Sequence, residues 1–152
     1  MTLLAAVDPM LLADTAAYRD HYGHAVVSVS DPLYVEPTLT YTVGFHVKTR
    51  SGGYELAIVG THPDAAARLL NDVAGRFWST PRACLAPGML LHCVDGYTTV
   101  KLRAVDEPSV MEVVHALYER PAPALQVMLP GPRDAFPDEP AYVRGLDGQR
   151  LL

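Results

Sequence analysis

The sequence lacks the features that mark several large classes of protein. Its 152 residues include two cysteines, Cys84 and Cys93, which form no CxxC pattern, and twelve basic side chains, which form no cluster. So few cysteines argue against a disulfide-stapled scaffold, and we expect two free thiols rather than one disulfide. A formal charge of −5 without a basic run argues against a nucleic-acid binder, because such binding depends on clustered basic groups.

Long apolar runs and a basic leader are also missing. Runs such as Leu56 to Val59 are far shorter than the roughly 18 residues that a membrane span needs. The first twenty residues contain no Lys or Arg before Arg19, the reverse of a secretion signal. We therefore expect a cytoplasmic protein that contacts no membrane. Only two of the twelve basic residues are Lys, and abundant Ala, Pro and Arg are typical of a GC-rich genome, such as that of an actinobacterium or its phage.

Enough apolar material is present for one folded core. Hydrophobic residues make up 49% of the chain, and a domain of this size buries about 70% of the surface that its unfolded chain exposes. No repeat or shift in composition divides the sequence. We expect one globular domain over residues 1–152, with residues 131–152 as an irregular tail, rich in Pro and Gly, that packs on it.

Apolar periodicity and turn residues predict the order of the elements. Asp8 and Pro9 begin a helix that Gly23 ends, and Asp95-Gly96 suits the tight turn of a hairpin. The predicted helices cover 9–21, 62–77 and the segment between Pro108 and Pro121; the predicted strands cover 25–30, 38–47, 54–60, 89–94, 97–105 and 124–129. This order predicts an α+β fold. We expect a single, mostly antiparallel or mixed sheet of about six strands, with helices packed on one face.

The strand over 38–47 carries several candidate site residues. Leu39, Tyr41, Val43 and Phe45 alternate with Thr40, Thr42, Gly44 and His46, so the pattern predicts an apolar face and a polar face. Gly44 would let a backbone or a ligand approach closely, which predicts a groove on the polar face. Tyr41 suits the core, and its buried hydroxyl would need a partner, for which Gln126 is one candidate.

Glu55 is the acidic residue of most interest, because it begins an apolar strand directly after a Gly-Gly turn. A partly buried carboxylate in this place suits a general acid or base, with His46 or Thr42 beside it. The alternative is a structural Glu that accepts backbone N–H groups or pairs with Arg50 or Lys48. The sequence leaves both interpretations open.

The remaining polar residues favour structural roles. Asn71, beside two leucines in the second helix, is expected to bond to a neighbouring loop. Of six histidines only His21 and His24 are close in sequence, and Gly23 separates them, so we expect no metal site. The sequence contains no phosphate-cradling glycine loop, GxSxG or GxGxxG, and we expect no cofactor.

Several segments together resemble a bacterial family of unknown function, DUF4262. They lie between about residue 40 and residue 152, namely Tyr41-Thr42-Val43-Gly44-Phe45, Glu55-Leu56 before Gly60, Leu69-Leu70-Asn71, Leu125-Gln126-Val127 with Pro130, Phe136-Pro137 and Gln149-Arg150-Leu151-Leu152. The sequence departs from the family's pattern at three positions. Tyr54 and Arg150 replace prolines, and Gly131 replaces an aspartate. The resemblance implies an organisation and a set of recurring polar positions, but no activity.

Two classes of function follow from these features. The first is a small binding or regulatory module that engages a protein partner or a small molecule, with Tyr41, Gly44, Asn71 and Gln126 as candidate ligand contacts. The second is a small hydrolase or transferase that uses Glu55 with His46 or Thr42 in a cleft rimmed by residues 130–140. We favour the first, because no convergent catalytic set is evident. Exposed edge strands also predict self-association.

Overall fold

A computed structural model describes residues 7–29, 38–48, 51–79, 84–131, 134–142 and 149–152. Three α-helices and six strands lie in these ranges. In chain order they are α1 (Pro9–Tyr22), β1 (Ala25–Val29), β2 (Leu39–Val43), β3 (Glu55–Val59), α2 (Pro63–Ser79), β4 (Leu90–Val94), β5 (Tyr97–Ala104), α3 (Glu112–Tyr118) and β6 (Ala124–Met128). The order of elements agrees with the prediction.

The six strands form one mixed sheet in the order β1-β2-β3-β6-β5-β4. The pairings are antiparallel except for β3 and β6, which run parallel with Glu55 opposite Ala124 and Ala57 opposite Gln126. The α+β class and the single mixed sheet are confirmed. The parallel pair forms at the centre of the sheet because β6 returns beside β3 only after α2, the β4–β5 hairpin and α3.

Helices cover both faces of this sheet, which corrects the expectation of one helical face. Leu56 and Ile58 of β3 pack in one core with Leu69 of α2. Ala57 and Val59, which point the other way, pack in a second core with α1 and α3. Every residue of β3 and of β6 is buried, because each of these central strands is covered from both sides.

Strand β2 ends at Val43, earlier than the sequence pattern predicts. Gly44 adopts φ +94°, a left-handed conformation that glycine accepts readily, and Phe45–Val47 then form a 3-10 turn. The reversal places Phe45 in the core beneath α2, whereas Tyr41 and Val43 belong to the opposite core. The expectation that these aromatic and apolar residues share one face is therefore wrong for Phe45. It also places His46 on the turn and not on the strand.

Helix α1 begins and ends where the sequence indicates. The Asp8 carboxylate accepts a hydrogen bond from the Met10 N–H at 2.9 Å, and Pro9 occupies the first turn. Gly23 ends the helix at φ +96°, with its N–H donating to the carbonyl of Arg19.

The last described residues, 149–152, lie against the sheet. Gln126 donates to the carbonyl of Arg150 and accepts from the N–H of Leu152 at 2.9 Å. The amide of Gln149 bonds to both backbone groups of Leu129, at 2.8 and 3.0 Å. Of the predicted 131–152 tail, residues 132–133 and 143–148 lie outside the described part of the chain.

Tyr41 is a core residue, as predicted, but its hydroxyl partner is not Gln126. The hydroxyl accepts a 3.2 Å hydrogen bond from the N–H of Val113, in the first turn of α3. Gln126 lies on the same side of the sheet and is occupied by residues 150 and 152. Tyr41 therefore satisfies one of the amide groups that a helix start leaves without an intrahelical acceptor.

Stability should fall in alkali because of Tyr41. Burial raises the pKa of Tyr41 to about 12 from the usual 10. The folded state disfavours the tyrosinate, so stability is complete below pH 10 and is lost as the pH rises from 10 towards 12, by about 2–3 kcal/mol at the upper end. Urea unfolding of the wild type and of Tyr41→Phe between pH 8 and 12 measures this. The difference between the two proteins should shrink as the pH rises, and parallel curves would contradict the assignment.

Candidate functional site

The carboxylate of Glu55 is enclosed by the turn that follows β2. Its side chain is 0% exposed. Oε2 accepts from the N–H of Gly44 at 2.8 Å, and Oε1 accepts from the N–H of His46 at 2.9 Å and from the Thr42 hydroxyl at 3.1 Å. Glu55 thus binds both backbone N–H groups that the reversal at residues 44–46 turns inwards. The sequence-predicted residues Thr42, Gly44, His46 and Glu55 do converge.

A short stack of side chains covers this carboxylate. His46 Nδ1 lies 3.2 Å from Glu55 Oε2 without the alignment of a hydrogen bond, and the His46 ring meets the Tyr118 ring edge-on at 4.6 Å. Arg19 donates to the Tyr118 hydroxyl at 3.2 Å and lies 5.4 Å from the centre of that ring. The Tyr118 hydroxyl raises the pKa of Arg19, because the hydrogen bond favours the charged guanidinium. The stack joins α1 and α3 to the turn.

The contacts of Glu55 fit the structural interpretation. Both oxygens are occupied by donors of the chain itself, and no part of the side chain reaches solvent. A general acid or base has to reach the substrate proton directly or through one water. Accepting backbone N–H groups was one of the two expected structural roles; of the expected ion-pair partners, Arg50 lies outside the described residues.

The described residues of this segment, 130–131 and 134–140, do not share a cleft with Glu55, which corrects that expectation. Glu55 begins β3, whereas these residues follow the opposite end of its parallel neighbour β6. Asp138 lies 3.1 Å from Lys101, whose partner in the sheet is Met128 at the end of β6. A separate cavity of about 280 Å³ lies in this region, with Pro137 and Tyr142 in its wall.

A larger cleft, of about 650 Å³, opens between α1, α2 and the start of β1. Its walls are mostly apolar or aromatic, with a few polar groups among them. The lining residues are Asp14, Thr15, Tyr18, Tyr22, His24, Ala25, Val26, Ala67, Asn71 and Gly75.

The two helical walls of the cleft differ in chemistry. Asp14, Tyr18 and Tyr22 follow one another at four-residue steps along α1, and therefore share one face of that helix. Ala67, Asn71 and Gly75 make the same kind of row along α2. The α2 row has small residues at both ends, and a Cβ at Gly75 would meet nothing within 4 Å. Because Ala67 and Gly75 have such small side chains, the space between the two helices stays open.

Three polar groups are held at the cleft by burial or hydrogen bonding. His24 Nε2 lies 2.8 Å from Asn71 Oδ1, so the ring donates and the amide nitrogen of Asn71 keeps its two N–H groups. This bond confirms that Asn71 contacts a neighbouring loop. Thr15 is only 5% exposed and lines the cleft from α1.

Of the four candidate ligand contacts, Asn71 alone lines this cleft. Tyr41 and Gln126 are fully buried and bonded to α3 and to residues 150–152. Gly44 is covered by Arg19, so that the predicted groove on the polar face of β2 is filled. The α1 contacts were missed, and the row at positions 14, 18 and 22 is the signal that sequence reasoning could have used.

No group of three His, Cys, Asp or Glu side chains in the described ranges is placed to hold a metal ion. Cys84 is a free, exposed thiol, and the side chain of Cys93 lies outside what the structure describes. None of the described helices combines the length and the apolar character that crossing a membrane requires.

The architecture is that of a small α+β domain built on one mixed six-stranded sheet with helices on both faces. The chain belongs to the family described as Domain of unknown function (DUF4262), whose model matches residues 20–143. The expected family is thus confirmed. Comparison with curated proteins and with solved structures gives no match.

Proposed function

We propose that this protein is a binding module that holds a small organic ligand in the cleft between α1, α2 and β1. One observation carries the proposal: the 650 Å³ cleft combines mostly apolar and aromatic walls with a few polar groups, among them Thr15 and Asn71.

The size and the lining of the cleft support a small ligand. Known ligand sites occupy about 300–1,000 Å³ and combine apolar walls with a few polar groups that fix orientation. Here Ala25, Val26 and Ala67 supply apolar surface, while Thr15 and Asn71 supply directional groups. The occupied oxygens of Glu55 weigh against the alternative of a hydrolase or transferase centred on that residue.

Filling the cleft should abolish binding. Gly75→Trp places an indole where a Cβ meets open space, whereas Gly75→Ala leaves most of the volume free. We expect native mass spectrometry of protein purified from its natural host to detect a small-molecule adduct. The adduct should be present in the wild type and in Gly75→Ala, and absent from Gly75→Trp.

The control variant also reports on folding. Gly75→Ala should raise the melting temperature by about 1–4 °C, because alanine favours the helix interior by roughly 0.5–1 kcal/mol relative to glycine. Circular dichroism should give the same spectrum for all three proteins. An adduct that persists in a folded Gly75→Trp protein, or a wild type without any adduct, would overturn the proposal.

A further inference from the structure

We infer that the ligand is an organic cation, an amine or a quaternary ammonium group on a compact apolar body. This inference rests on the proposed function and adds the chemical class of the ligand. It is carried by the α1 wall of the cleft, formed by Asp14, Tyr18 and Tyr22.

The charged side chain that lines the cleft is acidic. Asp14 is exposed and makes no ion pair or hydrogen bond with any described residue. Among the described residues that line the cleft there is no Lys or Arg. An anionic ligand would therefore face a carboxylate without a compensating cation, whereas a cation would gain a partner.

The aromatic rings next to Asp14 favour the same charge. Tyr18 and Tyr22 are 54% and 58% exposed, and their ring centres lie 4.5 Å apart with the planes tilted by 38°. Aromatic faces attract cations through the ring quadrupole, and quaternary ammonium groups are recognised in this way. Two exposed phenol rings, about one and two helical turns from a carboxylate, combine both attractions.

The other residues that line the cleft define the rest of the ligand. Thr15, which is 5% exposed and lines the cleft, offers a hydroxyl that accepts from an ammonium N–H or donates to a ligand oxygen. The amide N–H groups of Asn71 call for an acceptor on the ligand, since its oxygen is taken by His24. Ala25, Val26 and Ala67 fit an apolar body between these groups.

Most of this wall lies outside the part of the chain that the family model matches, although Tyr22 lies inside it. Asp14, Thr15 and Tyr18 precede residue 20, where the family model begins, whereas Asn71 and Gly75 lie inside the matched range. The preference for a cation is therefore inferred for this protein alone.

Three probes of similar size and different charge test the inference: benzyltrimethylammonium, benzyl alcohol and phenylacetate. Each is titrated into ¹⁵N-labelled protein while the amide signals of Thr15, Asn71 and Gly75 are followed. We expect the cation to bind about tenfold more tightly than the neutral probe, with phenylacetate weakest. Asp14→Asn should remove most of this preference.

Asp20→Asn is the matched control, because it changes the net charge by the same amount. Asp20 pairs with Arg19 at 3.1 Å and does not line the cleft, so this variant should keep the wild-type order of the probes. Equal or tighter binding of benzyl alcohol or phenylacetate would overturn the inference and leave the cleft as a ligand site. If no probe moves these amide signals, the proposed function itself fails.

Discussion

Replacing Glu55 by Gln should lower the melting temperature by about 6–12 °C, the largest effect we expect from a change of a single functional group. The carboxylate accepts from two backbone N–H groups and one hydroxyl, and it is completely buried. An amide of the same shape has one oxygen and one NH₂ group. At least one buried donor of the turn would then face another donor, at a cost of about 3 kcal/mol.

Glu107→Gln provides the control for this experiment. Glu107 is exposed, and its side chain makes no hydrogen bond with another described residue, so the change should alter stability by less than about 0.5 kcal/mol. Thermal unfolding of the three proteins by circular dichroism measures both effects. A Glu55→Gln protein that melts within about 2 °C of the wild type would contradict the structural role of Glu55 and favour a catalytic role.

Gly44→Ala should destabilise the protein by about 2–4 kcal/mol. A residue with a Cβ at φ +94° is strained, at a cost of about 1–3 kcal/mol. The added Cβ would also lie 2.8 Å from Cγ and Cδ of Arg19 and 3.1 Å from the Tyr118 hydroxyl, so it would displace the stack that covers Glu55. Chemical unfolding in urea gives the free energy directly.

A matched change at Gly53 separates the backbone strain from the steric overlap. Gly53 has φ +86°, close to that of Gly44, but an added Cβ there would meet nothing within 4 Å. Gly53→Ala should therefore show the backbone strain alone, and Gly44→Ala should cost at least 1 kcal/mol more. In an Arg19→Ala background most of this excess should disappear, since the two atoms at 2.8 Å are gone and only the Tyr118 hydroxyl at 3.1 Å remains close. An equal loss of stability at both glycines would show that the Arg19 side chain moves aside at no cost in free energy.

Glu55 and Gly44 are linked through Arg19 to the cleft that we propose as the ligand site. Arg19 on one side of α1 holds the helix to Tyr118, while the neighbouring Tyr18 forms the wall of the cleft. We therefore assign Glu55 and Gly44 to the support of α1 and not to chemistry.

Most of the secondary structure is predictable because its signals are local. The capped start of α1 at Asp8, the left-handed stop at Gly23 and the tight turn at Asp95-Gly96 each depend on a few adjacent residues. The apolar run from Leu56 to Val59 also indicates a strand. Its full burial implies cover on both faces, which a continuous apolar run typically signals and which the prediction of one helical face overlooked.

The errors arise where distant residues meet. Alternation continues through Phe45 and His46, so nothing local shows that Gly44 reverses the chain. The partner of the Tyr41 hydroxyl lies 72 positions away, in α3. The cleft depends on rows from two helices about fifty residues apart in the sequence, and only the tertiary arrangement brings them together.

The location of the ligand site is the central claim, and amide shift mapping tests it most directly. ¹⁵N-labelled protein is compared in buffer and in the small-molecule fraction of an extract from its natural host. If the ligand binds in the cleft, the shifted signals should lie in residues 14–26 and 67–75, and Gly75→Trp should abolish them. Shifts that centre on residues 42–55 or 134–142 instead, or an unchanged spectrum, would contradict it.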